Sequence, residues 1–267
     1  MTLLDVIILG IVEGLTELLP VSSTGHLILL GDLLGHNDEA AKVFDVVIQL
    51  GAIVAVAVYF RARIAKTLSG LPKRDPDSIR LVLALLAAFV PTAIAGLLFH
   101  KAIKKLLFSP GPVAAALIVG GVVMMVVDRW QAKRPAKITE LKEIDIKTGF
   151  IIGVCQCAAL WPGASRSMST IVGGQLNGMN TRVAAEFSFL LALPTLGAAT
   201  VYDLLKSGHL IWAMPSGATL LLVGMLVSFV VTWLVVAVFL RYVGRVGMVP
   251  FGAYRIILGA IVLVVLL

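Results

Sequence analysis

Apolar residues run through this chain in long blocks, without the strict alternation of a strand or the single stripe of a surface helix. Six blocks, about 43–60, 81–99, 113–130, 184–203, 217–240 and 252–267, reach or approach the roughly 20 residues a helix needs to cross a bilayer. Two further blocks are interrupted. Residues 3–34 are broken by Pro20-Val-Ser-Ser-Thr-Gly25 and residues 148–177 by Pro162-Gly163, which leaves half-helices too short to span. Such breaks are tolerated at membrane depth only where protein or a polar cavity satisfies the freed backbone groups. Both are therefore read as re-entrant helical hairpins.

The pattern predicts an all-α polytopic membrane protein of about six full transmembrane helices plus two broken hairpins, in one integral membrane domain over 1–267. The order of a broken hairpin followed by three spans occurs twice, in a first repeat over 1–130 and a second over 148–267, joined by a basic linker at 131–147. Local matches keep that order: Gly10-Ile-Val-Glu13 with Gly153-Val-Cys-Gln156, Ala41-Lys-Val-Phe44 with Ala184-Ala-Glu-Phe187, and Val90-Pro91 with Val249-Pro250. Three crossings per half is an odd number, so the halves have opposite topology and the two hairpin tips are expected to meet near the midplane.

Composition strengthens the membrane reading. Hydrophobic residues make up 59% of the chain and charged residues 14%, against roughly 25% charged in soluble proteins. The first segment has no basic flank and carries Asp5, Glu13 and Glu17, so no cleaved targeting segment is expected. The net charge of +7 does not point to nucleic acid, because Lys and Arg fall mainly between apolar blocks, where they set topology and touch anionic lipid. Loops 61–80, 129–147, 178–183 and 241–251 hold 15 of them, and the opposite set, 1–42, 100–112 and 204–216, holds 5. The first set is expected in the cytoplasm and both termini outside, with Lys101, Lys104 and Lys105 against the trend. Cys155 and Cys157, two apart on a helix, point to nearly opposite faces and are expected as unpaired thiols.

The two breaks carry the chemistry. Glu13 and Glu17 are four apart and share a helix face, close enough to chelate a cation or share a proton. Ser22, Ser23 and Thr24 occupy the following turn, where hydroxyls cap the next half-helix and its N-terminal N–H groups form an anion site. His26, one turn on, can serve as base, acid or phosphoryl acceptor, and Ser23 is the best-placed nucleophile beside it. In the second break Gly163 lets the backbone turn, and Ser165, Ser167 and Thr170 surround Arg166, whose planar fork binds phosphate oxygens bidentately. Arg255, in the last span, is a candidate second phosphate ligand, and Glu186 a candidate counter-ion for it or another arginine. At about 2.5–3.5 kcal/mol for each ionisable group at a helix centre, Glu13, Glu17, Arg166, Glu186 and Arg255 must compensate one another or line a wet cavity. His36, His100 and His209 fall in loops or at span ends and are assigned no role.

At these residues the chain resembles the undecaprenyl-diphosphatase family of bacterial membrane phosphatases, the group also linked to bacitracin resistance. Glu13 to Glu17 running on to Pro20-Val-Ser-Ser-Thr-Gly-His26, and Pro162-Gly-Ala-Ser-Arg-Ser-Met-Ser-Thr170, both match its motifs intact. The similarity extends over essentially the whole chain, including Phe44-Asp-Val-Val-Ile-Gln-Leu-Gly51. The resemblance implies hydrolysis of undecaprenyl diphosphate to the monophosphate, recycling the lipid carrier for peptidoglycan and other wall polymers, with a divalent cation (Mg2+ or Ca2+). It further implies a multi-pass protein of the bacterial inner membrane with its site open to the periplasmic or outer face, acting on a polyprenyl diphosphate among membrane lipids. A homodimer is a candidate assembly. Carried over, Glu13 and Glu17 are the acidic pair, Ser23 and His26 the nucleophile and its partner in an order the sequence leaves open, and Arg166 the diphosphate ligand. The rival reading is a secondary transporter or flippase for a phosphorylated lipid or anion, since inverted repeats with broken helices also build transporters. Ser23 and His26 beside two carboxylates favour hydrolysis.

Overall fold

The computed structural model describes residues 1–36, 38–107 and 109–266. Twelve α-helices are formed there: α1 (Leu3–Thr16), α2 (Ser23–Leu34), α3 (Glu39–Tyr59), α4 (Arg61–Gly70), α5 (Pro76–Leu107), α6 (Pro110–Gln131), α7 (Ile146–Gln156), α8 (Arg166–Leu176), α9 (Thr181–Ser207), α10 (His209–Trp212), α11 (Gly217–Val246) and α12 (Val249–Leu266). Among the described residues, five helices (α3, α5, α6, α9 and α11) are long and apolar enough to cross a membrane. The sixth expected span forms α12, apolar but shorter over Val249–Val264. Large apolar side chains point outward along these helices, as Leu222, Leu226 and Trp233 do on α11, which suits a lipid environment and no aqueous one. The chain is thus a multi-pass, all-α membrane protein.

Both broken blocks fold as expected in kind. α1 starts at a capping box in which Thr2 and Asp5 exchange hydrogen bonds, and α7 starts at Asp145, whose side chain accepts from the Thr148 N–H at 2.7 Å. That bond holds the Asp145 carboxyl below its usual range. α1 stops at Thr16 and α7 at Gln156, the latter passing into a 3-10 turn over Cys157–Leu160. Each hairpin resumes at a serine N-cap with φ of 73°, Ser22 before α2 and Ser165 before α8. The two serines stand at the same offset as Gly10 and Gly153.

Each half-helix lies against a full span through glycines. A Cβ at Gly10 would stand 2.9 Å from the Gly224 carbonyl oxygen of α11, and one at Gly14 2.9 Å from that of Ser228. On α7, Cβ atoms at Gly149 and Gly153 would come 2.3 and 2.4 Å from the carbonyls of Ala84 and Ala88 on α5. With no side chain there, α1 packs on α11 and α7 on α5 at backbone contact, as small residues permit in membranes. Residue numbers rise together in both pairs, so each half-helix runs parallel to its span. The Val90-Pro91 match does not survive this geometry. Pro91 lies inside α5, whereas Pro250 opens α12, which packs on α6.

The four Lys/Arg-rich loop regions meet at one end of the molecule. There they line an open cavity of about 1010 Å³ that includes Arg63, Lys66, Arg134, Lys142, Arg182 and Arg245. The linker is anchored to this end: Lys137 N–H donates to the Gly178 carbonyl and Asn180 N–H to that of Ile138. Side chains of His100, Lys101, Lys104 and Lys105 lie outside the described part of the structure.

Candidate active site

The two breaks come together deep between the helices. Arg166, the first residue of α8, donates through Nη2 to Glu17 Oε1 at 3.2 Å. The Ser167 hydroxyl donates to the Leu19 carbonyl at 2.9 Å. Arg255 of α12 completes the join. Its Nη1 donates to the Pro20 carbonyl at 3.2 Å and its Nη2 to that of Gly163 at 2.9 Å, and further bonds run to the carbonyls of Ala116 and Leu117 on α6. Arg255 is fully buried and does not line the cavity between the breaks. Expected as a second phosphate ligand, Arg255 is instead seen with four backbone acceptors on its guanidinium, in a position that ties the two hairpin tips to each other.

Between the tips lies a cavity of about 140 Å³, lined by Glu17, Ser22, Ser23, Thr24, Gly163, Ser165 and Arg166, with Gln49 of α3 and Leu196 of α9 on its far wall. It is far smaller than the basic cavity described above, yet it holds the chemistry. The starts of α2 and α8 both open onto it, so two sets of free backbone N–H groups converge on one volume, a natural seat for an anion. Ser22 is the cap proper, accepting from the Gly25 N–H, while Ser23 and Thr24 belong to the first turn of α2 and not to the turn before it.

Glu17 organises the centre. The Ser23 hydroxyl donates to Glu17 Oε2, and the other carboxylate oxygen accepts from Arg166. Arg166 is held from behind, where Nη1 donates to the carbonyl and the hydroxyl of Ser188 at 3.0 and 3.3 Å. Among the described residues its Nε is buried and has no acceptor. Ser167 and Thr170 support this end without facing the cavity: Thr170 donates to the Arg166 carbonyl at 2.9 Å and shares a bond with Ser188 Oγ at 2.7 Å. Glu186 is elsewhere. It pairs with Arg182 one turn before it, at the rim of the basic cavity, because its place on α9 aims it toward the loop end.

His26 also departs from the expected arrangement. Its Nδ1 lies 2.7 Å from the Ser22 carbonyl and its Nε2 2.7 Å from the Tyr254 hydroxyl. Ser23 is thus paired with Glu17, and both ring nitrogens of His26 are engaged away from it. Glu13, one turn before Glu17, is fully buried, and among the described residues both its carboxylate oxygens lack partners, as does Oδ1 of Asp45 on α3.

Asp45, Gln49, Ser188 and Tyr254 escaped the reading of the sequence. A signal existed for two of them. Asp45 and Ser188 directly follow Phe44 and Phe187 in the matched segments, and they stand on α3 and α9. Gln49 and Tyr254 stand in apolar runs and become legible only when helices α3 and α12 are packed.

Comparison with known proteins identifies the family. Residues 6–261 match the family described as bacitracin resistance protein BacA. An undecaprenyl-diphosphatase of Sorangium cellulosum is 61% identical over 260 residues, covering 97% of this chain and 85% of that protein. Undecaprenyl-diphosphatase 1 of Paraburkholderia xenovorans is 48% identical, covering 97% and 93%, and an undecaprenyl-diphosphatase of Rhizorhabdus wittichii is 45% identical, covering 100% and 98%. A match of that extent, over a chain in which both breaks converge on one anion-accepting cavity, places this protein in the bacitracin resistance protein BacA family.

Proposed function

We propose that this chain hydrolyses undecaprenyl diphosphate to undecaprenyl phosphate and inorganic phosphate. The observation that carries the chemistry is the Ser23 hydroxyl on one oxygen of Glu17 with Arg166 on the other, at the wall of the cavity into which α2 and α8 point. Ser23 Oγ attacks the terminal phosphorus while Glu17 accepts its proton. The bond to the bridging oxygen breaks, and the lipid monophosphate leaves with that oxygen, which takes the proton from Glu17 and restores its carboxylate. Water then cleaves the serine phosphate and frees inorganic phosphate, with Glu17 as the base that activates it. Arg166 Nε and the two helix N-termini stabilise charge on the equatorial oxygens. His26 is not the attacking group in this scheme, because both its nitrogens are engaged elsewhere.

A divalent cation fits the acidic pair. Among the described residues Glu13 has two buried oxygens without partners beside Glu17, and such orphans require a proton or a cation. Among the described residues no cluster of three or more His, Cys, Asp or Glu forms a protein cage. A Mg2+-type site with one or two carboxylates, completed by substrate phosphate oxygens and water, needs none. When bound, the cation supplies charge neutralisation to the diphosphate.

The protein resides in the bacterial inner membrane with the site opening outward. Two features support this. The 15-to-5 charge bias puts the basic cavity in the cytoplasm, and one apolar cluster runs from Leu18 and Met168 beside the site to Leu81, Leu141 and Val183 at that cavity's wall, closing the inner route.

Detergent-purified protein, which has no compartments for transport, should release one phosphate per undecaprenyl diphosphate, and Ser23→Ala should stop it. Binding of the lipid without phosphate release would defeat the hydrolytic reading.

A further inference from the structure

The two neighbouring residues Tyr254 and Arg255 on α12 grip both ends of the Pro20–Ser22 turn. Arg255 takes the Pro20 carbonyl directly. Tyr254 acts at the other end through His26, whose Nε2 lies 2.7 Å from the Tyr254 hydroxyl and whose Nδ1 lies 2.7 Å from the Ser22 carbonyl. A carbonyl can only accept, so Nδ1 carries a proton, and in the neutral ring Nε2 accepts from the tyrosine. The two rings are parallel within 1° with centroids 5.7 Å apart, which fixes the plane of the imidazole.

We infer that Tyr254 is a positioning residue for catalysis, holding the His26 ring at Nε2 so that its Nδ1–H stays on the Ser22 carbonyl and the clamped turn aims Ser23 at Glu17. Ser22 is where a clamp is needed. Its φ of 73° is a left-handed conformation that a non-glycine residue holds only when its surroundings impose it. The next residue is the one whose hydroxyl meets the carboxylate, so relaxation of Ser22 turns Ser23 away. The matching cap Ser165 has the same φ but is followed by Arg166, anchored directly by Glu17 and Ser188. Tyr254 is half exposed and lies five residues into α12, yet its hydroxyl meets His26 and its neighbour Arg255 ties the hairpin tips. It therefore sits against the site.

The inference rests on the hydrolytic reading for its effect on rate, but its central contact is measurable without substrate. In 15N-histidine-labelled protein the His26 resonances, identified by their loss in His26→Asn, should show Nδ1–H alone, and in Tyr254→Phe a mixture of both tautomers. Tyr254→Phe should lower kcat about tenfold, the rate equivalent of one ordinary hydrogen bond, with KM within about twofold and an unchanged melting temperature. An Nε2–H ring in the unmodified protein overturns the inference even if Tyr254→Phe does not fold. So does unchanged kcat, a KM effect alone, or a fall in kcat with the tautomer unmoved. If the unmodified protein releases no phosphate, the hydrolytic reading fails by itself and the tautomer still judges the contact.

Discussion

Arg255→Lys should destabilise this protein more than Arg255→Met, although lysine keeps the charge. The guanidinium reaches four carbonyls. Those of Ala116 and Leu117 lie inside α6 and retain their helical partners, whereas for Pro20 and Gly163 the guanidinium is the one donor among the described residues. A buried acceptor left unpaired costs about 1–3 kcal/mol, so losing both costs about 2–6 kcal/mol. Methionine also removes a buried cation with no carboxylate in ion-pair reach among the described residues, whose desolvation penalty is several kcal/mol; the two contributions roughly offset. Lysine keeps that penalty. Its compact ammonium lacks the fork that reaches both tips, so at least one turn carbonyl loses its partner, a net loss of about 1–3 kcal/mol. Thermal unfolding in detergent should therefore rank wild type and Met above Lys by several degrees. Phosphate release should fall in both variants, because the tie that holds Ser23 near Arg166 is gone. A lysine variant with the wild-type melting temperature and rate would refute this reasoning, since a point charge would then suffice.

Three further outcomes are expected. Ser23→Ala and Glu17→Gln should each cut kcat by at least the roughly hundredfold of a lost acid–base group, and the double variant should be no slower than the worse single one, because the two act as a unit; multiplied effects in steady-state kinetics would count against the pair. Chelation of divalent cations should abolish turnover in the wild type, and Glu13→Gln should need more added Mg2+ for half-maximal rate; an unaltered Mg2+ titration would remove Glu13 from the cation site. Gly149→Ala, whose methyl would meet the Ala84 carbonyl at 2.3 Å, should lower stability by about 1–3 kcal/mol, whereas Gly197→Ala, with nothing within 4 Å, should leave the melting curve in place.

What the sequence by itself determined is everything that follows from local physics. Apolar block length sets the spans, since hydrocarbon demands it. Pro20 and the Pro162-Gly163 pair, flanked by Glu17 and Arg166, mark the breaks, because polar groups at membrane depth need a reason. The lysine and arginine count sorts the loops, and these indeed gather at one end of the molecule. Family motifs then pointed to phosphate chemistry. Partnership was a matter for the tertiary structure. Ser23 pairs with Glu17 and not with His26, Arg255 ties the two hairpin tips, and Glu186 answers Arg182. Each of those side chains looks equally able to do something else along the chain. A hydrogen bond is decided by distances of about 3 Å, and in this fold those distances join residues as far apart as Pro20 and Arg255, through helix packing that glycines at positions 10, 14, 149 and 153 allow. Sequence spacing carries no such information beyond one helical turn.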